Sequence, residues 1–101
     1  MLNKNNLAEL LKKERQEIDK IDRELVKLFE ARMNVVNKIG DKKKAAGLPT
    51  LDASREAIVL EKVASYLENP EYKPYLQEFY KNLMTSSREY QEEKNNKITT
   101  P

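Results

Sequence analysis

The chain has 101 residues, of which 39% are hydrophobic and 36% charged, with only two glycines, a composition typical of one small domain built from long helices. It contains no cysteine and no histidine, which excludes thiol or Ser-His nucleophiles, a Cys/His zinc site and imidazole acid-base catalysis. The net charge of +2 gives no overall field that would favour nucleic acid.

The first predicted element is one very long N-terminal helix. Its apolar period runs from Leu7 to about Ala46 without proline, which corresponds to about 40 residues and about 60 Å. A compact domain of this size has a radius of gyration of only about 13 Å, so the apolar seam must be covered by another chain. We therefore predict an intertwined homodimer. Gly47 and Pro49 end the helix.

Arg32 interrupts the apolar seam of this helix. Its guanidinium is always charged, a buried unpaired charge is costly, and no acidic residue occupies the later seam positions. Arg32 thus indicates a polar pocket between helices that binds an anionic ligand. Two alternatives remain, namely a polar residue that sets the register of a coiled coil and an arginine that bends out to solvent. The apolar seam residues are Leu11, Ile18, Ile21, Leu25, Leu28, Val35 and Ile39.

A second helix is predicted to begin at a cap provided by Thr50 or Asp52 and to run to about Leu67. Its inner side carries Ile58, Val63 and Leu67.

A third helix is predicted from Pro74, which suits a first helical turn. Its inner face becomes polar at Ser87 and Gln91, which indicates a polar cavity, unless the helix end frays and both side chains are solvated. From Glu92 the sequence is polar and has no period, so we divide the chain into a helical domain, residues 1–91, and a disordered tail, residues 92–101. The inner face reads Leu76, Tyr80, Leu83, Ser87 and Gln91.

Several cations of the long helix can share a ligand. Lys43 follows Arg32 by eleven residues, almost three turns, which places both on one face about 16 Å apart. Lys42 and Lys44 flank Lys43, so the position of the pocket lysine is uncertain by one residue in either direction. Arg15 lies about 25 Å from Arg32 along the helix, and an antiparallel partner could bring it to the other chain's Arg32. The alternative for Arg15 and Lys43 is a solvated outer face.

The segment Asp52–Glu56 gathers three charges at the start of the second helix. Asp52 as N-cap and Glu56 in the first turn both suit the helix dipole, so helix initiation alone explains them. Arg55 is unfavourable there, which suggests an additional benefit such as an anion or an acidic neighbour.

The pattern of these residues resembles the all-helical (type II) class of chorismate mutase. The resemblance covers RQEIDKIDRELVKLFEARMNVVNKIGDKKKAAGLPTLDASRE, from Arg15, and continues to SSREYQ, which ends at Gln91. Its specificity comes from the joint spacing of eight polar residues, each at a position where the family places an active-site residue. They are Arg15, Arg32, Lys43, Asp52, Arg55, Glu56, Ser87 and Gln91.

The resemblance implies three helices per chain in two interlocked chains, and a Claisen rearrangement of chorismate to prephenate that needs no metal or cofactor. By analogy, Arg32 and Arg15 of the partner subunit would bind the substrate carboxylates, assisted by Ser87. Lys43 and Gln91 would donate hydrogen bonds to the ether oxygen.

The same resemblance implies that Glu56, with the Asp52 region, binds the ring hydroxyl and that Arg55 supports the site electrostatically. Isochorismate-pyruvate lyase, which shares the fold, is an alternative enzyme. A non-catalytic helical dimer that binds a shikimate-pathway metabolite is an alternative of another class. The sequence shows neither a signal peptide nor a bilayer-spanning apolar run, so we expect a cytoplasmic protein without membrane or nucleic-acid partners.

Overall fold

The protein is described by a computed structural model that covers residues 4–99, with side chains described for residues 6–96. It has three α-helices, α1 (Lys4–Ala45), α2 (Ala53–Ser65) and α3 (Lys73–Thr99). A short 3₁₀ helix, Pro70–Tyr72, directly precedes α3, and residues 4–99 contain no strand. The predicted all-α architecture with one very long N-terminal helix is confirmed. No helix in this part of the chain has a stretch long and apolar enough to cross a membrane.

The chain divides into two compact units, and α1 crosses the boundary between Val35 and Val36. In the first unit, the described residues form α1 alone, so no other element of that unit covers its apolar seam. Arg32 is half-buried. The exposed seam residues of this unit include Ile18, Ile21, Leu25, Leu28 and Val35.

The second unit begins with the last turns of α1, which end as the sequence predicts. Gly47 adopts a left-handed backbone with φ of 71°, a conformation that glycine accepts without a steric cost. Its N–H donates to the carbonyl of Lys44 at 3.1 Å, and the Leu48 N–H donates to that of Lys43 at 2.8 Å. This pair of bonds is the Schellman arrangement, which satisfies carbonyls at the helix end.

Helix α2 begins at Asp52, which is the cap, since its Oδ1 accepts from the Arg55 N–H at 3.1 Å. The inner face of α2 differs from the prediction at one position. Ile58 is exposed, whereas Glu56, Leu60 and Val63 are half-buried. Each residue advances about 100° around a helix, so Ile58 lies about 200° from Glu56 and from Leu60. The inner stripe of α2 therefore starts with a carboxylate.

Helix α3 packs against α2 and presents the predicted face. Met84 is buried, and further toward the C-terminus Ser87 and Gln91 are buried as well. The alternative that α3 frays at these two residues is therefore wrong. At the other end of α3, Gln77 Nε2 donates to the Leu60 carbonyl at 3.2 Å and fixes the helix on α2.

Helix α3 also extends beyond the predicted end at Gln91. Residues 92–99 are helical, so the expected disordered tail is corrected over this range, while residues 100 and 101 lie outside the described residues. Two contacts of these turns account for the difference. Glu92 Oε1 accepts from the Thr50 hydroxyl at 3.1 Å, and Lys94 Nζ pairs with Asp41 at 3.1 Å. A polar helix without an apolar period can form when such contacts anchor it.

Candidate functional site

The polar cluster of the second unit is built where the last turns of α1, the start of α2 and the middle of α3 meet. Side chains of α3 make hydrogen bonds to α1 and to α2 in this region. The predicted site residues in this part of the structure are Lys43, Asp52, Arg55, Glu56, Ser87 and Gln91.

Gln91 lies at the contact between α3 and α1 and is only 3% exposed. Its Nε2 donates to Asn37 Oδ1 at 2.8 Å and makes a longer bond to the Val36 carbonyl at 3.4 Å. Its Oε1 is buried and accepts no hydrogen bond from the described residues. Gly40 faces this amide, and a Cβ at that position would overlap the Gln91 side chain. The absence of a side chain at Gly40 therefore makes room for the carboxamide.

Lys43 is the least exposed of the three consecutive lysines. It is half-buried, whereas Lys42 and Lys44 are exposed. Its Nζ donates to the Thr50 carbonyl at 3.0 Å, which holds the ammonium beside the loop between α1 and α2. This contact uses one of the three N–H donors of the ammonium, so two remain available for a ligand.

Asp52 is an exposed helix cap. The Arg55 N–H and the Ser54 hydroxyl, which donates at 2.8 Å, hold the pKa of Asp52 below its usual value of 3.8, and the nearby Lys43 charge acts in the same direction. Asp52 is therefore ionised at neutral pH. The side chain of Arg55 is exposed.

Glu56 is half-buried and forms an ion pair with Arg88 of α3. Arg88 Nε donates to Glu56 Oε2 at 2.7 Å, a length typical of charge-assisted hydrogen bonds. Ser87, next to Arg88, is buried and donates its hydroxyl proton to the Leu83 carbonyl at 2.8 Å. The polar residues of the second unit thus include an ammonium, an amide and a paired carboxylate. Such groups can bind and orient a small molecule that carries negative charge, an ether or carbonyl oxygen and a hydroxyl.

The two arginines that were expected to bind carboxylates belong to the first unit. Arg15 is exposed on α1, and Arg32 is half-buried three residues before the end of that unit. The second unit by itself therefore holds six of the eight predicted residues. Among the described residues there is no group of three or more metal-binding side chains placed to hold an ion.

Asn37 and Arg88 contact site residues but were not identified from the sequence. Arg88 follows Met84 by four residues and precedes Gln91 by three, so the helical period already placed it beside the inner face of α3. Asn37 precedes Gly40 by three residues, so the helical period likewise places it on the side of α1 that carries Gly40. What the period could not give is the partner of each side chain, because both partners lie on other helices.

Comparison with known proteins places this architecture in a family. The profile described as chorismate mutase type II matches residues 14–92, which is most of the chain. The chain belongs to the chorismate mutase type II family. Every residue of the cluster described above lies inside the matched range, and so do Arg15 and Arg32.

One curated relative matches part of the chain. The T-protein of Haemophilus influenzae is 43% identical over 56 residues, which cover 55% of this chain. The matched region is 15% of the length of that relative, so the likeness concerns a small part of a much longer protein.

Proposed function

We propose that the protein is a chorismate mutase, an isomerase that converts chorismate to prephenate in phenylalanine and tyrosine biosynthesis. The observation that carries the proposal is the family match over residues 14–92. Lys43, Glu56 and Gln91 support it, because the three helices of the second unit supply through them hydrogen-bond donors and a carboxylate, and the reaction requires no nucleophile. We expect the reaction to take place in the cytoplasm.

The proposed reaction is an intramolecular Claisen rearrangement. The ether C–O bond breaks as a C–C bond forms, and no proton, electron or group is exchanged with the protein. Catalysis then consists of holding a reactive conformer and stabilising the negative charge that develops on the ether oxygen. Lys43 Nζ and Gln91 Nε2 would donate to that oxygen. In Gln91, the bond to the Val36 carbonyl, at 3.4 Å, is the weaker one and the one the substrate would replace.

Arg32 and Arg15 of the partner subunit would bind the two carboxylates of the substrate in forked hydrogen bonds, and Ser87 would assist one of them. This arrangement requires an intertwined homodimer. The exposed apolar seam of α1 supports that assembly, because large apolar side chains at helical spacing on one face are suited to cover the same face of a second copy. Two equivalent composite sites follow from two-fold symmetry.

Glu56, together with the Asp52 region, would bind the ring hydroxyl of the substrate. Its position on the inner stripe of α2 supports this role, since the carboxylate lies on the side of the helix that faces α3. Arg55 would contribute positive charge at longer range. Asp52 has a structural role in addition, because its carboxylate caps α2.

The decisive experiment is to follow the ultraviolet absorbance of chorismate in the presence of the pure protein. Loss of chorismate with formation of prephenate supports the mutase. Turnover of isochorismate to salicylate and pyruvate, with chorismate unchanged, would identify the lyase alternative. If the protein leaves both compounds intact and only binds one of them, the non-catalytic helical dimer is the correct function.

The composite site has its own test. Arg15→Ala and Arg32→Ala proteins, each inactive, are mixed under conditions that allow subunit exchange. A heterodimer contains one site in which both arginines are intact, so part of the activity should return. If mass measurement shows exchange and no activity returns, the assignment of Arg15 to the other chain's site is wrong.

A further inference from the structure

Arg88 has no part in the function proposed above, although it contacts one of the proposed ligand-binding residues. Its Nε lies 2.7 Å from Glu56 Oε2, and the side chains of Arg88 and Glu56 are 28% and 25% exposed. The ion pair between Lys27 and Glu24 on α1 is different, at 3.4 Å with both side chains 69% exposed. Solvent screens an exposed pair strongly, whereas a half-buried, short pair restrains its members. The Arg88–Glu56 contact therefore constrains the position of the carboxylate.

The guanidinium is itself held from a second side. Arg88 Nη2 lies 3.3 Å from the hydroxyl of Thr85, one turn earlier on α3. A planar guanidinium with one end fixed on its own helix presents its Nε–H in a defined direction. The Glu56 side chain, which starts from α2, is consequently aligned by a group on the facing helix. Of the residues in these two contacts, the proposed mechanism places only Glu56 against the substrate.

The ion pair leaves Glu56 with capacity for a ligand. A carboxylate has two oxygens, and the described residues occupy Oε2 through Arg88 while no hydrogen bond from them reaches Oε1. Oε1 can therefore accept a hydrogen bond from a hydroxyl group. The positive charge of Arg88 also offsets the charge of Glu56, which would otherwise repel a dicarboxylate substrate.

From these contacts we infer that Arg88 is a positioning residue that acts through Glu56. It aligns the carboxylate so that Oε1 receives the ring hydroxyl of the substrate, and it neutralises the carboxylate toward an anionic ligand. The inference rests on the proposed chorismate mutase function and adds a residue that determines recognition of the hydroxyl. Arg88 does not touch the reacting atoms in this scheme.

The test compares Arg88→Met and Arg88→Lys with Lys81→Met, a matched loss of one positive charge at an exposed position of α3. Arg88→Met should lower kcat/KM for chorismate at least tenfold, with most of the change in KM, because the hydroxyl contact exists before and during the reaction. Arg88→Lys should recover part of this loss, since an ammonium can still donate to Oε2. Lys81→Met should stay within twofold of the wild type.

Two further arms separate positioning from a merely structural role. In a Glu56→Gln background, Arg88→Met should change kcat/KM less than threefold, because the group through which it acts is already altered. For an analogue of chorismate that lacks the ring hydroxyl, Arg88→Met should lower kcat/KM less than it does for chorismate, because only the neutralisation of Glu56 toward the two carboxylates still matters. An undiminished effect in the Glu56→Gln background, or on the analogue, would overturn the inference. If the wild type converts no chorismate, the proposed function fails first, and the two failures are thereby distinguished.

Discussion

Gly40 offers a sharp test of the site because two physical effects of one methyl group oppose each other there. Alanine in place of a glycine inside a helix normally stabilises by about 0.5–1 kcal/mol, because glycine loses more backbone entropy on folding. At Gly40, however, the added Cβ would overlap the buried Gln91 carboxamide. Forcing extra volume into a packed region costs about 1–3 kcal/mol. Because Gln91 is only 3% exposed, its amide has little room to move away, so the overlap should outweigh the entropy gain and Gly40→Ala should be destabilising by up to about 2.5 kcal/mol.

The same substitution should impair turnover. The Gln91 amide must shift from its present position beside Asn37 to clear the new methyl group, which should displace the donor proposed to reach the ether oxygen. Loss of one preorganised donor lowers kcat by about 10²–10³-fold, and we expect at least a tenfold decrease for a displaced donor. The measurements are urea unfolding followed by circular dichroism and chorismate depletion. Both use one fixed protein concentration, because the stability of the proposed dimer depends on concentration.

Two variants complete the design. Gly47→Ala should lower stability by about 1 kcal/mol through its left-handed backbone. Turnover should be normal, because among the described residues no atom beyond the chain neighbours of Gly47 lies within 4 Å of the new Cβ. In a Gln91→Ala background the space beside Gly40 is vacated, so Gly40→Ala should now be stabilising by about 0.5–1 kcal/mol. This reversal of sign is the specific signature of the overlap. A Gly40→Ala protein that is more stable than the wild type and fully active would refute the reasoning.

Three further experiments test these polar residues. Lys43→Ala should lower kcat by about 10²-fold or more while helicity and the mass of the assembly in solution are unchanged. Lys44→Ala should have little effect, and equal losses would contradict the choice of Lys43. Asn37→Leu removes the acceptor that holds the Gln91 amide, so kcat in a steady-state assay should fall by about tenfold. A normal kcat would mean that the amide needs no anchor. The pKa of Asp52 is lower in the folded protein than its usual value of 3.8. Asp52 therefore contributes fully to the free energy of unfolding above pH 3.8, and this contribution is lost as the pH falls through the pKa of the folded protein. Asp52→Asn keeps the cap without titrating, and its stability measured between about pH 5 and pH 2 should fall less steeply than that of the wild type.

The sequence predicted the elements well because their signals are local. A helical period, a glycine at the end of α1 and a proline at the start of α3 each act within a few residues. The errors have physical reasons as well. Ile58 was placed inward because it is apolar, although helical geometry sets it about 200° from Glu56, and α3 was ended too early because its last turns depend on contacts with distant residues.

The candidate site was predictable as a set of residues but not as a set of contacts. The positions of Lys43, Glu56 and Gln91 could be read from spacing and from the family resemblance. Only the packing of α3 on the other helices paired Arg88 with Glu56 and placed Gln91 against Gly40, and only the structure shows that Lys43 is less exposed than Lys42 and Lys44. These contacts join residues 32 and more positions apart, or depend on burial, and no local pattern encodes them.

The sequence by itself determined the class of fold, the limits of the chemistry and most of the candidate residues, since composition, helical period and residue spacing are properties of the chain alone. The tertiary structure decided which polar side chains are withdrawn from water and which group each one meets. Burial turns an ordinary glutamine or glutamate into a positioned donor or acceptor, and it is created only when the helices pack.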